Sequence, residues 1–95
     1  MNYENVCQSF GNGNATQGYK LIQDIASRLN KAREKHPRFA DDAVEAIDVI
    51  GDEWREYSQA VMQSEGDKRE RNEALDVIAT AIRAANREYD DDSTL

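Results

Sequence analysis

Apolar residues recur at three- and four-residue steps in three stretches of this chain and nowhere alternate, so its regular structure is expected to be helical throughout. From about Thr16 to Lys35 the repeat is Leu21, Ile22, Ile25, Leu29 and Ala32, and His36-Pro37 stops it. Asp42 with Glu45 three residues on has the form of a capping box, opening a second helix that runs to about Gln63. Ala43, Ile47, Ile50, Trp54, Tyr57 and Val61 share one face of it. Gly51 lies inside that pattern at a cost of about 1 kcal/mol relative to Ala, which suits close packing or a bend. After Ser64-Glu65-Gly66, Asp67 and Glu70 repeat the cap pattern before a third helix reaching about Tyr89, with a main stripe of Leu75, Ile78, Ala79, Ile82, Ala85 and Tyr89. Residues 1–15, with Gly11-Asn12-Gly13-Asn14, read as a flexible arm, residues 16–89 as the helical domain, and residues 90–95 as an acidic tail.

The expected architecture is therefore all-α, a small antiparallel helical bundle. At 95 residues there is room for one domain, and 39% apolar residues make a thin core. Ala74, Val77, Ala81 and Ala84 spread apolar surface around the third helix, more than two sister helices can cover, so a homodimer or homotetramer is expected to complete the bundle. A formal charge of −7 argues against a basic surface that grips nucleic acid or anionic lipid. No run approaches the roughly 20 apolar residues of a membrane span, and the start lacks the pattern of a signal peptide. The lone Cys7 allows no internal disulfide and fits a reducing compartment, so a cytoplasmic location is expected.

Most catalytic constellations are absent from the sequence. There is no Gly-rich phosphate loop, no Cys pair for zinc, no Gly-x-Ser-x-Gly elbow and no Glu-x-x-His unit of a di-iron bundle. The single histidine, His36, reads as a helix-end residue. Carboxylates remain. Glu53 and Glu56 are one turn apart on the second helix, Glu73 and Asp76 on the third, and antiparallel packing brings such pairs together around a hard divalent cation. Seven Asp/Glu pairs have that spacing, so flanking residues must discriminate. Glu53 borders the apolar stripe beside Ala46 and Ala60, and Trp54 and Tyr57 surround it with bulk. Glu73 and Asp76 lie opposite the main stripe of their helix, in a row with Thr80, Arg83 and Arg87 that periodicity alone assigns to solvent.

Asp52-Glu53-Trp54-Arg55-Glu56 followed, after sixteen intervening residues, by Glu73-Ala74-Leu75-Asp76 resembles the E-x-x-E and E-x-x-D signature of the all-α nucleoside triphosphate pyrophosphohydrolases, the MazG-like superfamily. The acidic doublet, the Ala60-Val61 that follows and the aliphatic Val77-Ile78 add to the likeness, which covers about half the chain, residues 41–89. The resemblance implies Mg²⁺-dependent hydrolysis of a nucleoside triphosphate to monophosphate and pyrophosphate, with Mn²⁺ as a substitute ion. It makes Glu53, Glu56, Glu73 and Asp76 the catalytic metal ligands. Members of the family commonly bring Lys or Arg to the phosphates from a further helix; here Arg83, Arg87, Lys68, Lys31 and Lys35 are the available cations, and Trp54, Tyr57 and Phe39 offer stacking faces for a base. Trp54, Lys31, Arg83 and Arg87 are the expected substrate-binding residues. The alternative is a catalytically degenerate helical module that binds a nucleotide or a protein.

Overall fold

The computed structural model describes residues 2–89. Four helices follow in order: α1 (Tyr3–Phe10), α2 (Ala15–Lys35), α3 (Ala43–Met62) and α4 (Asp67–Ala85). No strand occurs among the described residues, where the one isolated bridge pairs Ala40 with Tyr89. None of the helices described is long and apolar enough to cross a membrane.

The expected flexible arm is instead ordered over residues 3–10. Asn2 caps α1 by accepting a hydrogen bond from the Asn5 amide, and Cys7 is buried against α2. Two glycines make that docking possible. Gly11 sits in the turn where a Cβ would overlap the Asn14 carbonyl, and Gly18 lies inside α2 where a Cβ would overlap the Cys7 carbonyl oxygen. The backbones of α1 and α2 thus touch through residues without side chains. Tyr3 and Tyr19 meet edge to face beside the contact, with ring centroids 6.2 Å apart. A polar, Gly-rich sequence is read as loose because glycine lowers helix propensity, but here it permits closeness.

The stripe Leu21, Ile22, Ile25, Leu29 and Ala32 on α2 faces inward as its spacing requires. Asp42 caps α3 by accepting from the Glu45 amide, while the Glu45 carboxylate accepts from Asp41 N–H, so the reciprocal half of the capping box is displaced by one residue. At α4 the cap is Gly66, with φ of 104°, and Asp67 is the first helical residue rather than the cap. The helix also ends at Ala85, short of Tyr89, since the chain turns at Arg87, which has φ of 54°.

That early ending has a physical cause. Glu88 folds back under α4 and accepts hydrogen bonds from Arg33 (2.6 and 3.2 Å) and from Arg83 Nε (2.9 Å). The bonds from Arg33, with those from Arg83 behind them, outweigh partial desolvation and hold the Glu88 carboxyl down at about 2. Tyr89 stacks on Phe39, and the Arg83 guanidinium lies 5.2 Å from the Phe39 ring centroid. Residues 86–89 therefore pin the α2–α3 connection against α4.

The helices form a slab rather than a closed bundle, 39 × 39 × 20 Å along its principal axes. α4 packs against both α2 and α3, α1 packs on α2, and α2 and α3 do not pack on each other. α3 and α4 form the antiparallel hairpin. Contacts that rise together along both helices, from Asp24 with Arg71 to Ala32 with Arg83, make α2 and α4 parallel. A gap is left between α2 and α3, floored by α4.

This arrangement reverses the expected face of α3 and buries a second face of α4 beside the expected one. On α3, Ala46 and Ala60 are buried, with Glu53 half-buried between them, while Ile47 and Trp54 are 67% and 57% exposed. On α4 the row assigned to solvent turns inward: Glu73, Thr80 and Arg83 are buried along with Leu75 and Ala79. Gly51, expected to serve close packing or a bend, is not closely packed: nothing lies within 4 Å of where its Cβ would stand.

Replacing Gly18 with Ala is expected to force α1 away from α2 and cost about 1–3 kcal/mol, the usual range for overpacking. Thermal unfolding checks it: Gly18→Ala should lower the midpoint by several degrees, whereas Gly51→Ala, inside α3 with no atom within 4 Å of the new methyl group, should not.

Candidate metal centre

Glu53 projects from the middle of α3, and Glu73 and Asp76 lie one turn apart on α4, so the hairpin itself brings the three together. A carboxylate oxygen from each lies within 4.8 Å of the other two. Glu73 is 8% exposed, and the Arg69 guanidinium stands 3.5 Å from it at the solvent edge. Glu56, the fourth expected ligand, is exposed and is not one of the converging three, but it crowds Glu53 from the next turn of α3.

Crowding and burial leave a clear electrostatic mark. The Glu53 carboxyl is pushed up to about 7, chiefly by desolvation and then by the nearby Glu56, Asp76 and Glu73. Asp76 is also raised, by burial above all, although Arg28 opposes the rise. The Arg28 guanidinium reaches across from α2, its two terminal nitrogens donating to Asp76 Oδ1 at 3.0 Å and to Asn72 Oδ1 at 3.3 Å.

The chemistry of this donor set fits a hard divalent cation. Oxygens bound to Mg²⁺ at about 2.1 Å stand ~3 Å apart when adjacent and ~4 Å when opposite, so a cluster already drawn within 4.8 Å needs only small side-chain adjustments to close on an ion. Carboxylates held together without a counter-charge raise one another's proton affinity, and a cation relieves that repulsion directly.

Beside the cluster the gap between α2 and α3 forms a cavity of about 320 Å³. Glu53 and Asp76 stand on its wall together with Arg28, Arg38, His36 and Phe39, and Thr80 and Arg83 contribute from α4. Of the expected substrate-binding residues only Arg83 reaches this cavity. Its nitrogens are engaged with Glu88 and with the Ala32 and Pro37 carbonyls, so it acts first as a tie between α4 and the α2–α3 connection. Lys31 lines a separate recess between α2 and α4. Trp54 packs against Tyr57 on the outer side of α3, and Arg87 lies over the Tyr89 ring; neither lines the cavity. Arg28 and Arg38 were missed as candidates. Arg28 sits at a polar edge of the α2 stripe, and only the packing of α2 on α4 points it at Asp76. Lys68 and Lys35 line neither opening.

Comparisons of the chain with protein-family models, with curated proteins and with solved structures found no significant match.

The raised Glu53 group gives a test with a definite sign. Its folded pKa of about 7 exceeds the ordinary carboxyl value, so the metal-free protein loses stability as pH rises from about 4.5 through 7. Glu53→Gln removes that loss. After solvent screening is allowed for, the gain is about 1 kcal/mol, or ~4–8 °C in the unfolding midpoint for a domain of this size. It should appear in chelator at pH 8 and be much smaller at pH 5.

Proposed function

We propose that this chain is a Mg²⁺-dependent nucleoside triphosphate pyrophosphohydrolase, converting an NTP or dNTP to monophosphate and pyrophosphate. The observation that carries the reading is the convergence of Glu53, Glu73 and Asp76 within 4.8 Å beside a cavity lined by arginines. An acidic cluster alone repels a polyphosphate, and arginines alone would bind one without activating water; their adjacency suits a substrate that arrives with its cations. Mg²⁺, or Mn²⁺ in its place, would be held by Glu53, Glu73 and Asp76, neutralising phosphate oxygens and lowering the pKa of an attacking water. Glu56, exposed and one turn from Glu53 on α3, would accept a hydrogen bond from water entering the cluster. Phe39 and Val49 give the cavity an apolar wall against which a base can lie, and Arg38 and His36 stand beside it. The reading places turnover in nucleotide-pool house-cleaning, in the cytoplasm.

The test is pyrophosphate release from a panel of nucleoside triphosphates with and without Mg²⁺. Turnover should require the ion, and Glu53→Gln or Asp76→Asn should each lower kcat by about a hundredfold or more, the order lost when one electrostatic contributor to a reacting centre is removed. If no triphosphate is hydrolysed while Mg²⁺ still binds, the chain is the alternative, a helical nucleotide-binding or protein-interaction module.

The same reading includes a homodimer or homotetramer. Ala43, Ile47, Ile50, Trp54, Tyr57 and Val61 follow the alternating four-three spacing of a coiled-coil seam, and the outer side of α3 leaves Ile47, Trp54 and Val61 largely exposed in the single chain. A second copy of α3 matches that seam by symmetry. Sedimentation at micromolar concentration should give a species heavier than 10.8 kDa, and Ile47→Lys should return it to the monomer. A wild-type monomer at that concentration would defeat this part of the reading.

A further inference from the structure

The carboxylate cavity has a neighbour of opposite charge. A second recess, of about 270 Å³, opens between α2 and α4. Three cations line it: Arg28 and Lys31 from α2 and Arg71 from α4, with Asp24 as the single acidic residue and Ser27 and Asn72 as neutral polar ones. In a chain of net charge −7 this is a local excess of positive charge. Asp24 is paired with Arg71 at 2.9 Å and with Lys20 at 3.1 Å, so it does not neutralise Lys31, which has no ion-pair partner among the described residues.

Arg28 joins the two openings. It lines both, and its guanidinium is divided between them, one nitrogen on Asp76 and the other on Asn72. A cation bound by Asp76 would replace Arg28 as the partner of that carboxylate, and the freed guanidinium has Lys31 and Arg71 beside it on the recess side. Three cationic side chains converging on one concave opening suit an anion with several oxygens and more than one charge. One carboxylate would not use all three.

We infer that the recess between α2 and α4 is a polyphosphate subsite, in which Lys31, Arg71 and the displaced Arg28 hold the diphosphate end of the substrate and the pyrophosphate product. The identity of the anion rests on the pyrophosphohydrolase reading; the recess and its charges do not. The substrate then lies across α4, with its nucleoside in the Phe39 cavity, its reacting phosphate at the carboxylates and its terminal phosphates in the recess.

The experiment is calorimetric titration of the full chain with inorganic pyrophosphate, in Mg²⁺ and in chelator, and separately with Mg²⁺ alone. Wild type should bind pyrophosphate saturably. Lys31→Met and Arg71→Met should each weaken it about tenfold, the scale of one lost charge-assisted hydrogen bond, while Lys31→Arg stays within about twofold and Mg²⁺ binding alone does not change. Pyrophosphate that does not bind, or binds Lys31→Met and Arg71→Met as tightly as wild type, overturns the subsite even if Mg²⁺ binds and turnover is present. Pyrophosphate binding that depends on Lys31 in a protein with no Mg²⁺ affinity upholds the subsite and overturns the metal centre instead.

Discussion

Three carboxyl groups pressed together at the centre of a helical hairpin repel one another, and the structure is arranged around that repulsion. Glu53, Glu73 and Asp76 are drawn together by the packing of α3 on α4, and the cost shows in the raised proton affinity of Glu53. Among the described residues two cations answer it. Arg28 pairs with Asp76 from α2, and Arg69 stands at the outer edge of Glu73. Both guanidiniums remain partly exposed, so the cluster is only partly neutralised and keeps an affinity for positive charge.

The same geometry explains why α4 carries so much polar surface inward. A helix lying between two others that do not touch must present one side to the gap they leave, and a polar row suits a gap better than an apolar one. Asp76, Thr80 and Arg83 line that opening in turn, from the carboxylates to the Phe39 ring. No buried side-chain nitrogen or oxygen among the described residues lacks a hydrogen-bond partner, so the row is compatible with folding while still lining a cavity.

Helix positions were readable in the sequence because period, caps and breakers agree over residues 15–35, 43–62 and 67–85. Facing was harder. Periodicity identifies an apolar stripe but not what covers it, and Ile47 and Trp54 occupy the most regular stripe in the chain while facing outward. The pairing of Glu53 with Glu73 and Asp76 was legible only through the likeness to the E-x-x-E and E-x-x-D signature, since seven carboxylate pairs share the spacing and periodicity alone assigned Glu73 and Asp76 to solvent. Arg28 was not: its place at the edge of the α2 stripe sets it apart from Lys20 and Lys31, but nothing local aims it at Asp76 until α2 is laid on α4. α1 was hidden for a different reason: Gly11 and Gly18 weaken the local helical signal and also allow the backbone contact that stabilises it, and only the second effect needs three dimensions. The turn at Arg87 likewise depends on Glu88 finding Arg33, fifty-five residues earlier.

Because α4 is the one element in contact with both α2 and α3, it couples the two halves of the slab. Without α4 those halves share no helix–helix interface, so fraying that reaches its centre separates them and dismantles the carboxylate cluster in the same event. Ligand binding and global folding are then a single linked equilibrium: anything that bridges α3 to α4 stabilises the whole slab by RT ln(1 + [L]/Kd). Occupancy of the site would be legible far away, as slower amide exchange along α2 and in the Gly18 contact with α1, with no signal relayed between them beyond a lower population of the opened state.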